Sequence, residues 1–408
     1  LTYTLENKLH LKELELNSLL EITQAINNNL PEEHLYKIYN FILRANLNIK
    51  KLLLCIKDQT WQRKVNFGTK ANFSEIHEEI SLLNAREVSV LQSVNLPTAF
   101  KEFDLVIPVF HKENILAYVF VGELGRGIQE EEATIDTTFV QTLTNIIVVA
   151  IENKKLARRQ LEQEAFNREL QIAQQVQSML FPKNLPYKDI LKVKADYLPH
   201  HSVGGDYYDF IRVSEDIFLM CIADVSGKGV PAALLMSNFQ ASLRILVRQT
   251  TDLKEIIREL NFALYQVSGG ERFITLFCAI YDRKQRKLSY VNAGHNPPIF
   301  CDEGNCVSLL EKGTTVLGIF HPLPFLEKTE VENVNEFLLF SYTDGLVEAT
   351  NHADEEFGAE RILDFVDLMQ QEDPQRIHEE VMTAVETFRS GKSYADDVTI
   401  FTVKVGKQ

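Results

Sequence analysis

Only five cysteines occur in 408 residues, Cys55, Cys221, Cys278, Cys301 and Cys306, and no two form a CxxC pair. Three of them sit inside apolar runs such as LLLCIKD and LFCAIY. That usage predicts reduced core thiols in a cytoplasmic protein and argues against a disulfide framework. Cys301 and Cys306 flank the turn-like DEGN and lie close enough in sequence to approach each other, but no nearby His or Cys completes a zinc set. No run of about 18 apolar residues exists, so no segment is expected to span a membrane. The longest runs, TNIIVVAI and FITLFCAIY, have the length of buried strands or helix segments. Blocks of like charge are absent as well. The formal charge of −15 is spread along the chain, and such a surface repels phosphate backbones, so nucleic acid is not an expected partner. The chain begins at Leu1 rather than Met, as a fragment with a sensor or membrane segment upstream would.

What is present is ordinary for a soluble globular protein: 45% hydrophobic and 24% charged residues. The length exceeds one ordinary core and predicts two domains with a connector. Residues 7–29 read as a helix, with Leu9, Leu16, Leu19, Leu20 and Ile26 recurring at threes and fours. Pro31 and two glutamates open a second helix, to about Ala45. The strands KKLLLCIKD and WQRKVNF follow, then the hairpin DLVIPVFHKENILAYVFVGEL and a helix from about Glu131. This order, and the stretch VIPVFHKENILAYVFVG above all, resembles a GAF-type sensor domain, although no ligand motif accompanies it. Residues 1–152 are assigned to this GAF-like domain.

The closing helix is predicted to run unbroken from about Thr134 to Leu180, through NKKLARRQLEQEAFNREL, which has no Gly or Pro. An apolar seam passes through Ile147, Ile151, Leu161, Ala165, Ile172, Val176 and Met179, and Lys154, Arg158 and Arg168 interrupt it. A clean heptad would give a firm coiled coil; this pattern gives a marginal one, or a solvated connecting helix. FPKNLP stops the helix with two prolines. Residues 153–185 are therefore the linker and 186–408 the second domain.

From Leu191 onward, apolar β-rich runs adjoin aspartates. DIFLMCIAD ends in Asp224 and leads into VSGKGVPAALLMS, where Gly227 and Gly229 permit a tight turn and Pro231 suits the start of a helix. EFLLFSYTD ends in Asp344, YADDVTIFTVKV sets Asp396 and Asp397 ahead of a last strand, and VGGDYYDF carries Asp206 behind two glycines. A lone aspartate in such a place is a turn or cap residue. Four at the ends of rigid, buried elements would repel one another, and some would be protonated, unless a cation held them. Hard divalent ions prefer oxygen ligands. Two of them bridged by one aspartate suit phosphoryl chemistry, because they activate water near neutral pH and offset charge on the transferring group. No Ser, Cys or His nucleophile is then required.

The motifs VGGDYYDF, ADVSGKGVPAAL, YVNAGHNPP, YTDGLVEA and ADDVTIF stand in the order seen in one family. They resemble the bacterial PPM-type serine/threonine phosphatases of the RsbU and SpoIIE group, and LQIAQQVQSMLFPKNLP resembles that family's helical approach. The resemblance implies an α+β tandem: a GAF-like domain, a long helical linker, and a PPM phosphatase domain with two packed antiparallel sheets flanked by helices. It implies that Asp206, Asp224, Asp344, Asp396 and the main-chain carbonyl of Val225 hold two Mn2+ or Mg2+ ions. Asp224 bridges them, and Asp206 and Asp224 serve as the catalytic carboxylates. Asp209 and Asp397 are left to supporting roles, and no substrate-binding residue is assigned. The implied reaction is hydrolysis of phosphoserine or phosphothreonine on a STAS-type anti-sigma-factor antagonist in a partner-switching pathway. The implied assembly is a homodimer through the linker helix and the GAF-like domain, with the sensor setting activity through the helix.

Departures from the superfamily matter. Ser226 stands where eukaryotic relatives carry a histidine, and no arginine closely precedes GGDYYD. His295 is either a general acid or a loop-holding residue, and Lys228 either touches substrate phosphate or is a solvated turn lysine. Two other functions remain open at this point: a phosphatase-like regulator that binds without turnover, and a nucleotide cyclase, whose Gly-Gly-acid hairpin Gly204-Gly205-Asp206 superficially matches. The later aspartate motifs oppose the cyclase.

Overall fold

The computed structural model describes residues 2–46, 49–69, 80, 83, 85–91, 98–111, 114–123, 136–188, 190–302 and 305–406. The chain divides into two compact units, Leu1–Glu164 and Ala165–Gln408.

The first unit opens with helices α1 (Thr2–Asn27) and α2 (Glu32–Phe41), the latter followed by a π-helical turn over Ile42–Asn46. Its antiparallel sheet comprises β1 (Lys51–Lys57), β2 (Trp61–Phe67), β3 (Ser89–Val90), β4 (Leu105–His111) and β5 (Asn114–Gly122), in the order β2-β1-β5-β4-β3. The run LLLCI in β1 is apolar on both faces because both are covered. Leu52, Leu54 and Ile56 pack with the helices, while Leu53 and Cys55 pack with Phe100, Tyr118 and Phe120. Helix α3 (Thr137–Ser178) closes the unit and continues as one helix past Glu164.

Ile147 and Ile151 of α3 belong to this core, so the first part of the expected seam is spent inside the unit. Lys154 is spent there too: its Nζ donates to the carbonyls of Asn29 and Leu30, at 3.1 and 3.2 Å, just beyond α1. It therefore binds loop carbonyls of its own chain. Arg158 pairs with Glu162 one turn on. The buried thiols Cys55, Cys221 and Cys278 lie in apolar cores, whereas the side chain of Cys306 lies outside the described residues.

The second unit is a sandwich of two sheets. One contains β8 (Tyr207–Arg212), β9 (Ile217–Val225), β10 (Ile274–Asp282), β11 (Lys287–Ala293) and β14 (Gly313–Thr314), with β15 (Thr329–Val331) also on β11. The other runs β13 (Asn305–Leu309), β12 (Ile299–Asp302), β16 (Phe337–Tyr342), β17 (Val398–Val405), β7 (Leu191–Leu198) and β6 (Tyr187–Lys188). Met220, Ile222 and Phe277 of the first sheet meet Leu339, Phe401 and Val403 of the second. Helices α4 (Val230–Gln249) and α5 (Leu253–Ser268) cover the outer face of the first sheet. The short α6 (Asp344–Val347), α7 (Ala359–Met369) and α8 (Pro374–Arg389) adjoin the second, giving helix, sheet, sheet, helix layers. Helix α4 is long and apolar enough to cross a membrane, yet its inner residues Ala232, Met236, Phe239, Leu243 and Val247 are core.

Candidate metal centre

Strand alternation decides what gathers at one end of the sandwich. On β9, Met220 and Ile222 face the inter-sheet core, so Asp224 faces the same way at the strand's end. On β17, Phe401 and Val403 place Thr399 inward; on β16, Leu339 places Ser341 inward, with Thr343 next in phase. Apolar packing gives way there to buried hydroxyls and a buried carboxylate, Asp206, from the loop before β8. Thr343 Oγ1 donates to Asp206 Oδ2 at 2.8 Å, and Thr399 Oγ1 donates to the same oxygen at 2.5 Å. Neither threonine stood out in the sequence, where strand phase was the only available signal.

Asp206, Asp224, Asp344 and Asp396 form one electrostatic cluster. Burial, then the charge of Asp224, raises the Asp206 carboxyl well above its ordinary range. Asp224 is pushed up to about 7 by burial first and by Asp344 and Asp396 next. Asp344 is raised by burial and by Asp396, with Lys228 opposing. Lys228 is exposed and paired: Nζ lies 2.8 Å from Asp396 Oδ2 and donates to the Ala395 carbonyl at 2.6 Å. Among the described residues, no three His, Cys, Asp or Glu side chains close on a single point; the carboxylates are neighbours from separate elements, Asp224 at the end of β9 and Asp344 opening α6. Their chemistry is nonetheless all-oxygen and anionic, which suits hard divalent cations. A Cβ on Gly205 would stand 2.8 Å from the Val225 carbonyl oxygen, so glycine there keeps that oxygen accessible. The donor set fits Mn2+ or Mg2+.

The two remaining aspartates have other partners. Asp397 Oδ2 accepts the Gly205 N–H and Oδ1 the His200 N–H, both at 2.7 Å. A Cβ on Gly204 would fall on this carboxylate and on the Tyr197 hydroxyl. Asp397 thus shapes the Asp206 loop through its backbone. Asp209 lies in phase with Tyr207 on the helix-facing side of β8, where Arg244 of α4 binds it through Nε at 2.8 Å and a terminal nitrogen at 3.1 Å. The Tyr207 hydroxyl also donates to it.

Gln177, in the last turn of α3, is buried against the same loop. Its Nε2 donates to the Gly204 carbonyl at 2.7 Å, and its Oε1 accepts the Gly204 N–H at 3.2 Å. One amide therefore clamps the backbone two residues before Asp206. A glutamine among several in QIAQQVQS carries no sequence signal for such a role.

Ser226 extends the ladder between β9 and β10: its N–H donates to the Phe273 carbonyl, and its Oγ accepts the Phe273 N–H, both at 2.9 Å. His295 is buried, with Nδ1 2.8 Å from Thr275 Oγ1; Thr275 pairs across the sheet with Asp224. The His295 N–H donates to Asn292 Oδ1 at 2.8 Å, and Asn292 Nδ2 donates back to the His295 carbonyl at 3.1 Å. Its Nε2, toward the Tyr342 carbonyl, makes no hydrogen bond of normal geometry. Burial lowers the His295 pKa to about 3, so the ring is neutral near pH 7, and the bonds to Asn292 are made by the His295 backbone.

Comparisons with known proteins agree with this architecture. Residues 214–406 match the family described as Stage II sporulation protein E (SpoIIE). The chain is 30% identical over 242 residues to phosphoserine phosphatase RsbU of Bacillus subtilis (strain 168), covering 59% of this chain and 64% of that protein. It is 25% identical over 187 residues to phosphoserine phosphatase RsbP of the same organism, covering 45% of this chain and 46% of that one. The chain thus spans less than two thirds of these relatives. The SiaA-PP2C domain of Pseudomonas aeruginosa superposes with a TM-score of 0.54 at 20% identity, over 60% of this chain and 99% of that domain. With the two-sheet sandwich and its carboxylate end, the second unit has the fold of a PP2C domain, and residues 214–406 of it match the SpoIIE family.

Proposed function

We propose that this chain is a metal-dependent protein serine/threonine phosphatase. The observation that carries the reading is the buried Asp206 beside Asp224, Asp344 and Asp396 at one end of a PP2C-type sandwich. Asp206, Asp224, Asp344, Asp396 and the Val225 carbonyl would hold two divalent ions, with Asp224 between them. Ions bound there would supply an activated water and neutralise charge on the phosphoryl group. Thr343 and Thr399 fix one Asp206 oxygen and leave the other for a ligand role. Lys228 adds a cation at the Asp396 side, where a phosphate would approach. The names of the two curated relatives support phosphoserine as the substrate group. The fuller reading is dephosphorylation of a STAS-type anti-sigma-factor antagonist in a partner-switching pathway. Hydrolysis of p-nitrophenyl phosphate and of a phosphoserine peptide, with and without Mn2+, tests the activity. A folded chain that turns over neither with Mn2+ or Mg2+ would be a phosphatase-like binder instead.

Regulation follows from the same site. Residues 1–152 serve in this reading as a GAF-like sensor and 153–185 as the transmitting helix. Leu161, Phe166, Ile172 and Val176 are exposed along α3, with Met179 exposed just past its end, and they supply the apolar strip for a homodimer. The Gln177 clamp on Gly204 then links the state of the helix to the position of Asp206.

A further inference from the structure

Helix α4 is more apolar than its core side requires. Its outward residues Val230 and Leu234 are also hydrophobic, and Leu234 is 67% exposed. Val267, near the end of α5, is 60% exposed. These side chains do not stand apart: Pro231, Leu234, Leu235 and Val267 line one groove of about 420 Å³, bordered by Ser226 and Arg272. Ser226 directly follows Val225 and lies two residues from Asp224. The groove therefore begins at the turn that directly follows Asp224 and Val225, the last two residues of β9. At that border Arg272 donates to the Ser226 carbonyl at 3.2 Å and lies against Gly227, where a Cβ would meet its guanidinium. Among the described residues, Arg272 pairs with no carboxylate. An open apolar trough with a cation at the catalytic end matches a chain bearing a dianion beside a bulky apolar side chain.

We propose that this groove receives the part of the phosphoprotein substrate flanking the phosphorylated serine or threonine, with Leu234 and Val267 contacting an apolar side chain and Arg272 drawing in the phosphate. The inference deepens the phosphatase reading and rests on it for the identity of the occupant. It makes the α4–α5 surface a specificity determinant and supplies a positive side chain for substrate that no arginine near GGDYYD provides.

The test uses the full chain and a set of five-residue phosphoserine peptides, all alanine or with one leucine at each position flanking the phosphoserine. Covering half of a leucine side chain is worth about tenfold in affinity. At least one leucine position should therefore raise kcat/KM about tenfold over the alanine peptide in the parent. Leu234→Asn and Val267→Asn should abolish that ratio, which compares two peptides on one variant and so is independent of variant yield. Arg272→Gln should raise KM for both peptides by a common factor and leave the ratio intact. Equal rates for all peptides on the parent, or an undiminished leucine preference in Leu234→Asn, would overturn the proposal. So would a change of oligomeric state in Leu234→Asn by sedimentation, which would assign the groove to a second copy of the chain. If no peptide is hydrolysed, fluorescence anisotropy of the labelled peptides takes over. A leucine preference in binding that Leu234→Asn removes keeps the groove and sinks only the phosphatase reading, whereas no preference sinks the groove.

Discussion

Replacing Asp224 by asparagine should stabilise the metal-free protein while destroying its activity. Asp224 has a pKa of about 7 in the folded state against an ordinary 3.8, through burial and the charges of Asp344 and Asp396. Below the ordinary value the group is protonated in both folded and unfolded chains and contributes nothing. As pH rises from there toward 7, the unfolded chain releases the proton while the folded chain retains it, so stability falls by about 1.4 kcal/mol for each pH unit. Above about 7 the loss is complete. Between pH 5 and pH 8 the parent should therefore lose about 3 kcal/mol relative to Asp224→Asn, which cannot ionise. For a domain of this size that difference is roughly 6–12 °C in melting temperature. Scanning calorimetry of the full chain in EDTA, parent and variant at both pH values, reads it directly. Saturating Mn2+ at pH 8 should stabilise the parent strongly and the variant little, because binding to the folded state alone raises stability by mass action. Turnover in Mn2+ should fall by about a hundredfold or more in the variant. If Asp224→Asn is less stable than the parent in EDTA at pH 8, or the gap between them does not widen from pH 5 to pH 8, the carboxylates are not electrostatically opposed and the cluster loses its physical basis.

Gln177→Ala leaves the buried Gly204 carbonyl and N–H without their partner, which costs about 2–4 kcal/mol locally; it should weaken Mn2+ affinity, read by titration, while Gln177→Ala with unchanged metal affinity and turnover would remove the helix from control of the site. His295→Ala should lower melting temperature and the turnover of phosphopeptide and p-nitrophenyl phosphate together. A selective loss on the phosphopeptide at unchanged stability would instead make His295 a proton donor. Arg244→Met strips the charged partner from fully buried Asp209 and should destabilise the second unit by about 3–5 kcal/mol, measured by denaturant unfolding; a loss below about 1 kcal/mol would show that Tyr207 and the backbone satisfy Asp209 without it.

The sequence by itself was enough for whatever depends on neighbours along the chain. Apolar β-rich runs marked β9, β16 and β17, and Pro31 and Pro231 marked helix starts that appear where expected. Each run also delivered its aspartate to a strand end, so the members of the carboxylate cluster were readable before any contact was known. Tertiary structure alone decided which partners those groups meet. Thr343, just past β16, and Thr399 on β17 come together only in the folded sheet, and they reach Asp206 from 137 and 193 residues away. Gln177 acts through a side-chain amide on a distant backbone, a role that no spacing encodes. Helical periodicity shows which face Lys154 occupies, not which groups lie near it; in the folded chain its amine donates to the carbonyls of Asn29 and Leu30. Asp206 and Asp209 differ for the same reason. Three residues apart in one motif, Asp206 in the loop before β8 joins the carboxylate cluster, while Asp209 on β8 meets an arginine on a helix.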